Sequence, residues 1–251
     1  MLGLTIQKSG SPEFSISEAK CHYLDNGACD QCICDKCTGG LIIDKERGVA
    51  RDCSCKVEAI NRLRLKRAGL PEEYTFDKYK EADAKRKAVK EKALAFVSDN
   101  TGKWFFIGGQ SGFGKTHICS AIARELLKSG KTFRPFRWVD HGRKLKALAN
   151  EQEYDNAIEP FLDVDVLFID DFLKTTTQAD VNLAMRLLDE RYNRRRVTMI
   201  SSERSLSDIA RMIDGEGEAV AGRIKEMCGE YCIIVPHDQR LNWRFSGAKE
   251  K

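Results

Sequence analysis

The residues best suited to chemistry lie between Gly109 and His117. They read Gly109, Gln110, Ser111, Gly112, Phe113, Gly114, Lys115, Thr116 and His117, directly after the apolar run that starts at Trp104 and directly before the amphipathic stretch ICSAIARELLK. Four residues separate Gly109 from Gly114, Lys115 and Thr116, which is the spacing of a phosphate-binding loop between a strand and a helix. Gly109, Gly112 and Gly114 let the backbone curl so that successive N–H groups point at phosphate oxygens, and a helix starting near Lys115 adds its positive end. Lys115 is placed for the β- and γ-phosphates, and the Thr116 hydroxyl for a magnesium ion that bridges them. The whole segment is the candidate ATP-contacting loop, although His117 carries no catalytic assignment.

A second set of polar residues closes later apolar runs. Val164 to Ile169 ends in Asp170 and Asp171, two carboxylates at the C-terminal end of a strand, where α/β sheets hold their ligands. Asp170 is expected to orient magnesium and Asp171 to polarise the water that attacks the γ-phosphate. The run VTMI ends in Ser201, Ser202 and Glu203, of which Ser202 is the first choice for holding that water or sensing the γ-phosphate. Ser205 or Ser207, at the start of the stretch that holds LSDIA, has the type of a helix cap, so the same stretch also reads as a helix start. Arg223, among the small and apolar residues of AVAGRIKEMC, has the chemistry of an arginine finger that enters a neighbouring subunit's site. Arg240 and Arg244 are rival phosphate sensors that sequence does not rank.

The chain has 251 residues, of which ten are cysteines, seven of them between Cys21 and Cys55. Such local clustering favours a metal over disulfides. Cys34, Cys37, Cys53 and Cys55 form a CxxC and a CxC around a short hairpin-like stretch, and four thiolates suit tetrahedral zinc. Cys29 and Cys32, or His22 beside Cys21, offer a shifted ligand set. Cys119, Cys228 and Cys232 lie singly in apolar stretches and read as small buried hydrophobes.

These groups must be positioned by two parts. KVEAINRLRLKRA, from Lys56 to Ala68, reads as a basic amphipathic helix with Val57, Ile60 and Leu63 on one face. Gly69 and Pro71 stop it, which sets the expected boundary between residues 1–68 and 69–251. LPEEYTFDKY bridges to a helix over Glu81 to Val97, and then short apolar runs (Trp104 to Ile107, Thr132 to Val139, Val164 to Ile169, Val197 to Ile200, Tyr231 to Val235) alternate with helical segments. That alternation predicts an α/β fold, a mostly parallel sheet with helices on both faces. The net charge of +4 is too small to mark a nucleic-acid partner by itself. No apolar run reaches the length of a membrane span, and the first residues, which include GSPEF, lack a signal-peptide core, so a cytosolic protein is expected.

Taken together, the cysteine pairs before a basic helix, GLPEEYTFDKY, GGQSGFGKTHICSAIA, VLFIDDF, ISSE and GRIKEM resemble bacterial and phage replicative helicase loaders of the DnaC and DnaI type and the related IstB-type transposition ATPases. The resemblance covers nearly everything from about Cys34 onward. It implies an AAA+ core of five parallel strands, slow ATP hydrolysis stimulated by partners, and assembly beside identical subunits. It also implies delivery of a ring-shaped helicase of the DnaB type onto single-stranded DNA, with the N-terminal module gripping the helicase through a structural zinc. By position, Lys115 and Thr116 fall on the family's phosphate-binding pair, Asp170 and Asp171 on its acidic pair and Arg223 on its arginine finger. Glu203 departs from the asparagine of many members. Ending soon after Arg244, the sequence is expected to carry no helical lid. Phe113 and Phe172 are available for base stacking. A transposase helper, a small-molecule kinase and a scaffold that never hydrolyses ATP are the competing readings.

Overall fold

The computed structural model describes residues 41–44, 49–99, 101–212 and 215–243. The chain divides into two compact units, residues 1–63 and 64–251, and the division falls within a helix. In the first unit, β1 (Leu41–Asp44) pairs antiparallel with β2 (Val49–Asp52), Leu41 opposite Asp52. α1 (Ser54–Ala68) follows at once. Val57, expected on its apolar face, is exposed.

The second unit is built on five parallel strands: β3 (Phe105–Gly109), β4 (Phe133–Arg137), β5 (Val166–Asp170), β6 (Val197–Ser202) and β7 (Cys232–Val235). Their order in the sheet is β4-β5-β6-β3-β7, all neighbours parallel. The helices are α2 (Ala84–Ser98), α3 (Lys115–Lys128), α4 (Trp138–Lys146), α5 (Glu151–Asp163), α6 (Gln178–Asn193), α7 (Leu206–Ala210) and α8 (Glu216–Cys228). Strand side chains alternate between faces. Phe105, Ile107, Val166, Phe168 and Met199 join a layer with α2 and α3, whereas Phe106, Leu167, Ile169 and Ile200 join a layer with α4 to α8. Covering both faces is why the central strands are continuous apolar runs rather than alternating ones.

Two boundaries differ from the sequence expectation for identifiable reasons. The second helix starts at Ala84, because Asp83 caps it by accepting from Arg86 N at 2.9 Å. The run to Val139 breaks after Arg137, where Trp138 turns into α4 and is buried against Phe172. Pro135 is tolerated because β4 is an edge strand. Ser205 caps α7 through a reciprocal box with Asp208, as a helix start requires. No helix among the described residues is long and apolar enough to cross a membrane.

Candidate functional site: a phosphate cavity at the ends of three strands

The loop after β3 curls as a phosphate cradle must. Gly109 has φ 113°, and a Cβ there would lie 2.0 Å from Val235 O, so no other residue fits. Gly114, also left-handed, is the N-cap of α3, whose first turn carries Lys115 and Thr116. The Lys115 ammonium is buried and donates to Gly109 O at 2.8 Å and Gln110 O at 2.7 Å. Burial pulls its pKa below the ordinary lysine range, against the opposing pull of Glu203, Asp171 and Asp170.

A cavity of about 310 Å³ opens over this loop. Ser111, Gly112, Gly114, Lys115, Thr116 and His117 line it from the loop, Asp170, Asp171 and Lys174 from the end of β5, and Glu203 from the end of β6. Thr116 Oγ1 donates to Asp170 Oδ1 at 3.1 Å, so the two residues expected on magnesium are adjacent although 54 positions apart. Ser201 Oγ donates to the same carboxylate oxygen. Burial raises the Asp170 pKa most, Asp171 adds to the rise, and the two hydroxyls oppose it. One buried ammonium, one hydroxyl and one carboxylate over a left-handed glycine loop fit a magnesium-bound polyphosphate. Bound there, magnesium would offset charge on the terminal phosphates.

Ser202, the first choice for a sensor, is not on this cavity. It is fully buried, donates to Phe172 O at 2.8 Å and accepts from Arg204 N at 3.1 Å, so its hydroxyl braces two turns. Strand alternation explains the exchange. Met199 and Ser201 face the α3 layer, Ile200 and Ser202 the opposite one. The register Ile169↔Ile200 then sets Asp170 beside Ser201. Phe113 and Phe172 are buried, packing in the core rather than facing a nucleic-acid base. His117 Nε2 donates to Thr75 O at 2.8 Å, and the ring stacks on Tyr74 with 4.7 Å between ring centres. It thereby fastens the segment before α2 to the loop.

Sequence reasoning missed Tyr74, Lys174 and Trp243, all on the cavity wall. Trp243 arrives from the far end of the chain: its N–H donates to Gly112 O at 3.0 Å, and Gln110 accepts from Asp238 N. Arg86 locks this segment in place, with its guanidinium 4.7 Å from the rings of both Phe113 and Trp243 and a bond to Leu241 O. Arg240 is paired with Asp238 at 2.9 Å and lines a different cavity. Arg223 is held by Asp189 at 3.2 Å and Glu226 at 3.0 Å, over the Tyr192 ring, and does not line its own chain's cavity. Arg244, Cys34, Cys37, Cys21, His22, Cys29 and Cys32 lie outside the described residues. Among the described residues no group of three or more His, Cys, Asp or Glu side chains is disposed to hold a metal ion. Of the four expected zinc ligands, Cys53 is buried between β2 and α1, and Cys55 lies in the first turn of α1.

The comparisons with known proteins decide the family. Residues 22–228 match the family described as IstB-like ATP binding protein. The chain belongs to that family. Its description names ATP binding, and Lys115, Thr116 and Asp170 are gathered on the cavity where the loop meets the end of β5. An uncharacterised protein of Bacillus subtilis, YqaM, is 33% identical over 54% of this chain and 44% of its own length. The replicative helicase loader DnaC of Buchnera aphidicola is 28% identical over 64% of this chain and 68% of the loader. In fold, the crystal structure of DnaI superposes with a TM-score of 0.58 at 21% identity, covering 70% of this chain and 99% of that one. The chain spans about half the length of the Bacillus subtilis relatives it matches.

The raised Asp170 pKa has a consequence for binding. A carboxyl whose pKa is raised in the fold adds stability below its free pKa and loses it as pH rises through the folded one. Metal binding runs the other way, since it needs the ionised form. As pH falls from neutral, magnesium-dependent nucleotide affinity should therefore weaken above the usual carboxylate range, while the fold holds. Titrating affinity against pH checks this. An inflection no higher than that of a free aspartate, or one that persists unchanged in Asp170→Asn, contradicts it.

Proposed function

We propose that the chain is an ATP-dependent loader that delivers a ring-shaped replicative helicase onto single-stranded DNA at the start of replication. The observation that carries this reading is the extent of the likeness to the Buchnera loader, 171 aligned residues. The alignment is long enough to take in most of an ATPase core rather than a phosphate loop alone. In this reading residues 1–68 dock the helicase, with Cys34, Cys37, Cys53 and Cys55 holding a structural zinc, and residues 69–251 form the ATPase. Ser201 takes the sensor role first given to Ser202. Arg223 serves a neighbouring copy of the chain, exchanging its own Asp189 and Glu226 for that copy's nucleotide.

A strand of DNA would be held by its phosphates. Arg134, Arg137, Arg143 and Lys144 are exposed along β4 and α4, at the edge of the sheet next to Asp170. Four such contacts give a salt dependence of log affinity with slope about −3 for a single strand. Measuring single-strand affinity against salt, with and without an ATP analogue, tests the proposal. Affinity indifferent to both salt and nucleotide contradicts it.

A second reading has support of its own, since the matched family is named for IstB. There the same ATP switch would assist a transposase. Co-purification with the cognate replicative helicase favours the loader, and co-purification with a transposase favours the helper.

A further inference from the structure

The turn that leaves β5 is unusual among the described residues. Only three non-glycine residues there have positive φ, and two of them, Asp171 at 55° and Leu173 at 53°, sit in this turn. A left-handed aspartate is common enough in turns, but a left-handed leucine is not. The conformation persists because its middle is pinned. Phe172 and Leu173 are fully buried, Phe172 N donates to Ser201 O at 2.9 Å, and Arg204 Nε donates to Leu173 O at 3.0 Å. With the middle buried, the two ends face the phosphate cavity as side chains. Lys174 Nζ pairs there with Asp171 Oδ2 at 2.9 Å.

That pair is a poor reason for the strain. Both side chains are about half exposed, and an exposed ion pair adds little to stability. Backbone strain of this kind collects where a site needs a group held at an unfavourable place. The group so held is a second ammonium. Among the described residues lining the cavity, Lys115 and Lys174 are the lysines, facing Asp170, Asp171 and Glu203. Lys115 is buried, whereas Lys174 is about half exposed and comes from the turn after β5. A terminal phosphate carries more charge than one carboxylate and offers three acceptor oxygens, so it competes with Asp171 for the ammonium.

We propose that Lys174 is a γ-phosphate ligand supplied by the chain itself. It leaves Asp171 for the terminal phosphate when a triphosphate binds, and stays on Asp171 when a diphosphate does. Lys174 then distinguishes the two nucleotides, and its departure frees the Asp171 carboxylate in the triphosphate state alone. The proposal rests on the nucleotide reading of the cavity.

The test is calorimetric binding of a non-hydrolysable ATP analogue and of ADP, each with magnesium, to the full chain. Lys174→Met should weaken the analogue about tenfold, the loss of one charge-assisted contact, and ADP less than about twofold. Lys174→Arg should keep most of the preference. The double variant Asp171→Asn with Lys174→Met separates contact from mere neutralisation of Asp171. It should stay weak for the triphosphate. If it recovers wild-type preference, or if Lys174→Met changes both nucleotides equally or neither, the proposal is overturned. Undiminished binding of both nucleotides by Lys115→Met would instead overturn the nucleotide reading beneath it.

Discussion

Lys115→Ala should lower ATP turnover by at least about 10²-fold, the scale lost when one preorganised charge is removed from a phosphoryl-transfer site. Its ammonium is already desolvated and anchored on Gly109 O and Gln110 O, so little reorganisation is needed for it to meet a phosphate. A neutral replacement should leave the fold largely intact, because the loop is also held by Trp243 N on Gly112 O and by Asp238 N on the Gln110 side chain. Steady-state turnover with a thermal melt beside it checks both halves. Turnover within a few-fold of wild type, by a folded variant, contradicts the assignment.

Arg191→Leu should cost about 3–5 kcal/mol of stability, the usual penalty when a buried polar hub loses one partner. Arg191 is fully buried. It donates to Phe161 O at 2.8 Å and Leu162 O at 3.2 Å in the last turn of α5, to Val164 O at 2.9 Å, to Val197 O, and to Thr198 Oγ1 at 2.8 Å. These acceptors gather at the starts of β5 and β6 and at the end of a helix, whose last carbonyls have no partner of their own. Burial, with no carboxylate bonded to it, pushes the guanidinium down to about 9, still charged at neutral pH. Urea unfolding measures the loss. Since the hub lies at the end of the sheet opposite the cavity, the folded fraction should keep its nucleotide affinity. A change under 1 kcal/mol would mean that water enters and replaces the guanidinium.

The phosphate loop and the acidic strand end were legible because both are set locally. A glycine at 109 is dictated by φ and by Val235 O, and Asp170 by the end of a buried apolar run. The choice between Ser201 and Ser202 was also within reach, since counting alternate residues from Met199 puts Ser201 on the α3 side. What the sequence did not disclose depends on distant chain. Trp243 closes the loop 131 residues after Gly112 through a backbone bond, and Arg86 holds it through two rings, with no short motif to mark either. Lys174 was overlooked because its cavity position depends on a left-handed leucine, which no propensity suggests. Arg223 sits on a helix face as its motif implies, yet its partner acids, Asp189 and Glu226, come from α6 and its own helix.

The most direct measurement is ATP turnover by the purified chain, alone and with single-stranded DNA and a hexameric replicative helicase, beside Lys115→Ala. The loader account predicts slow basal turnover that rises with DNA or helicase and disappears in the variant. Turnover that ignores both partners, or that rises instead with a transposase or a small-molecule acceptor, would contradict it.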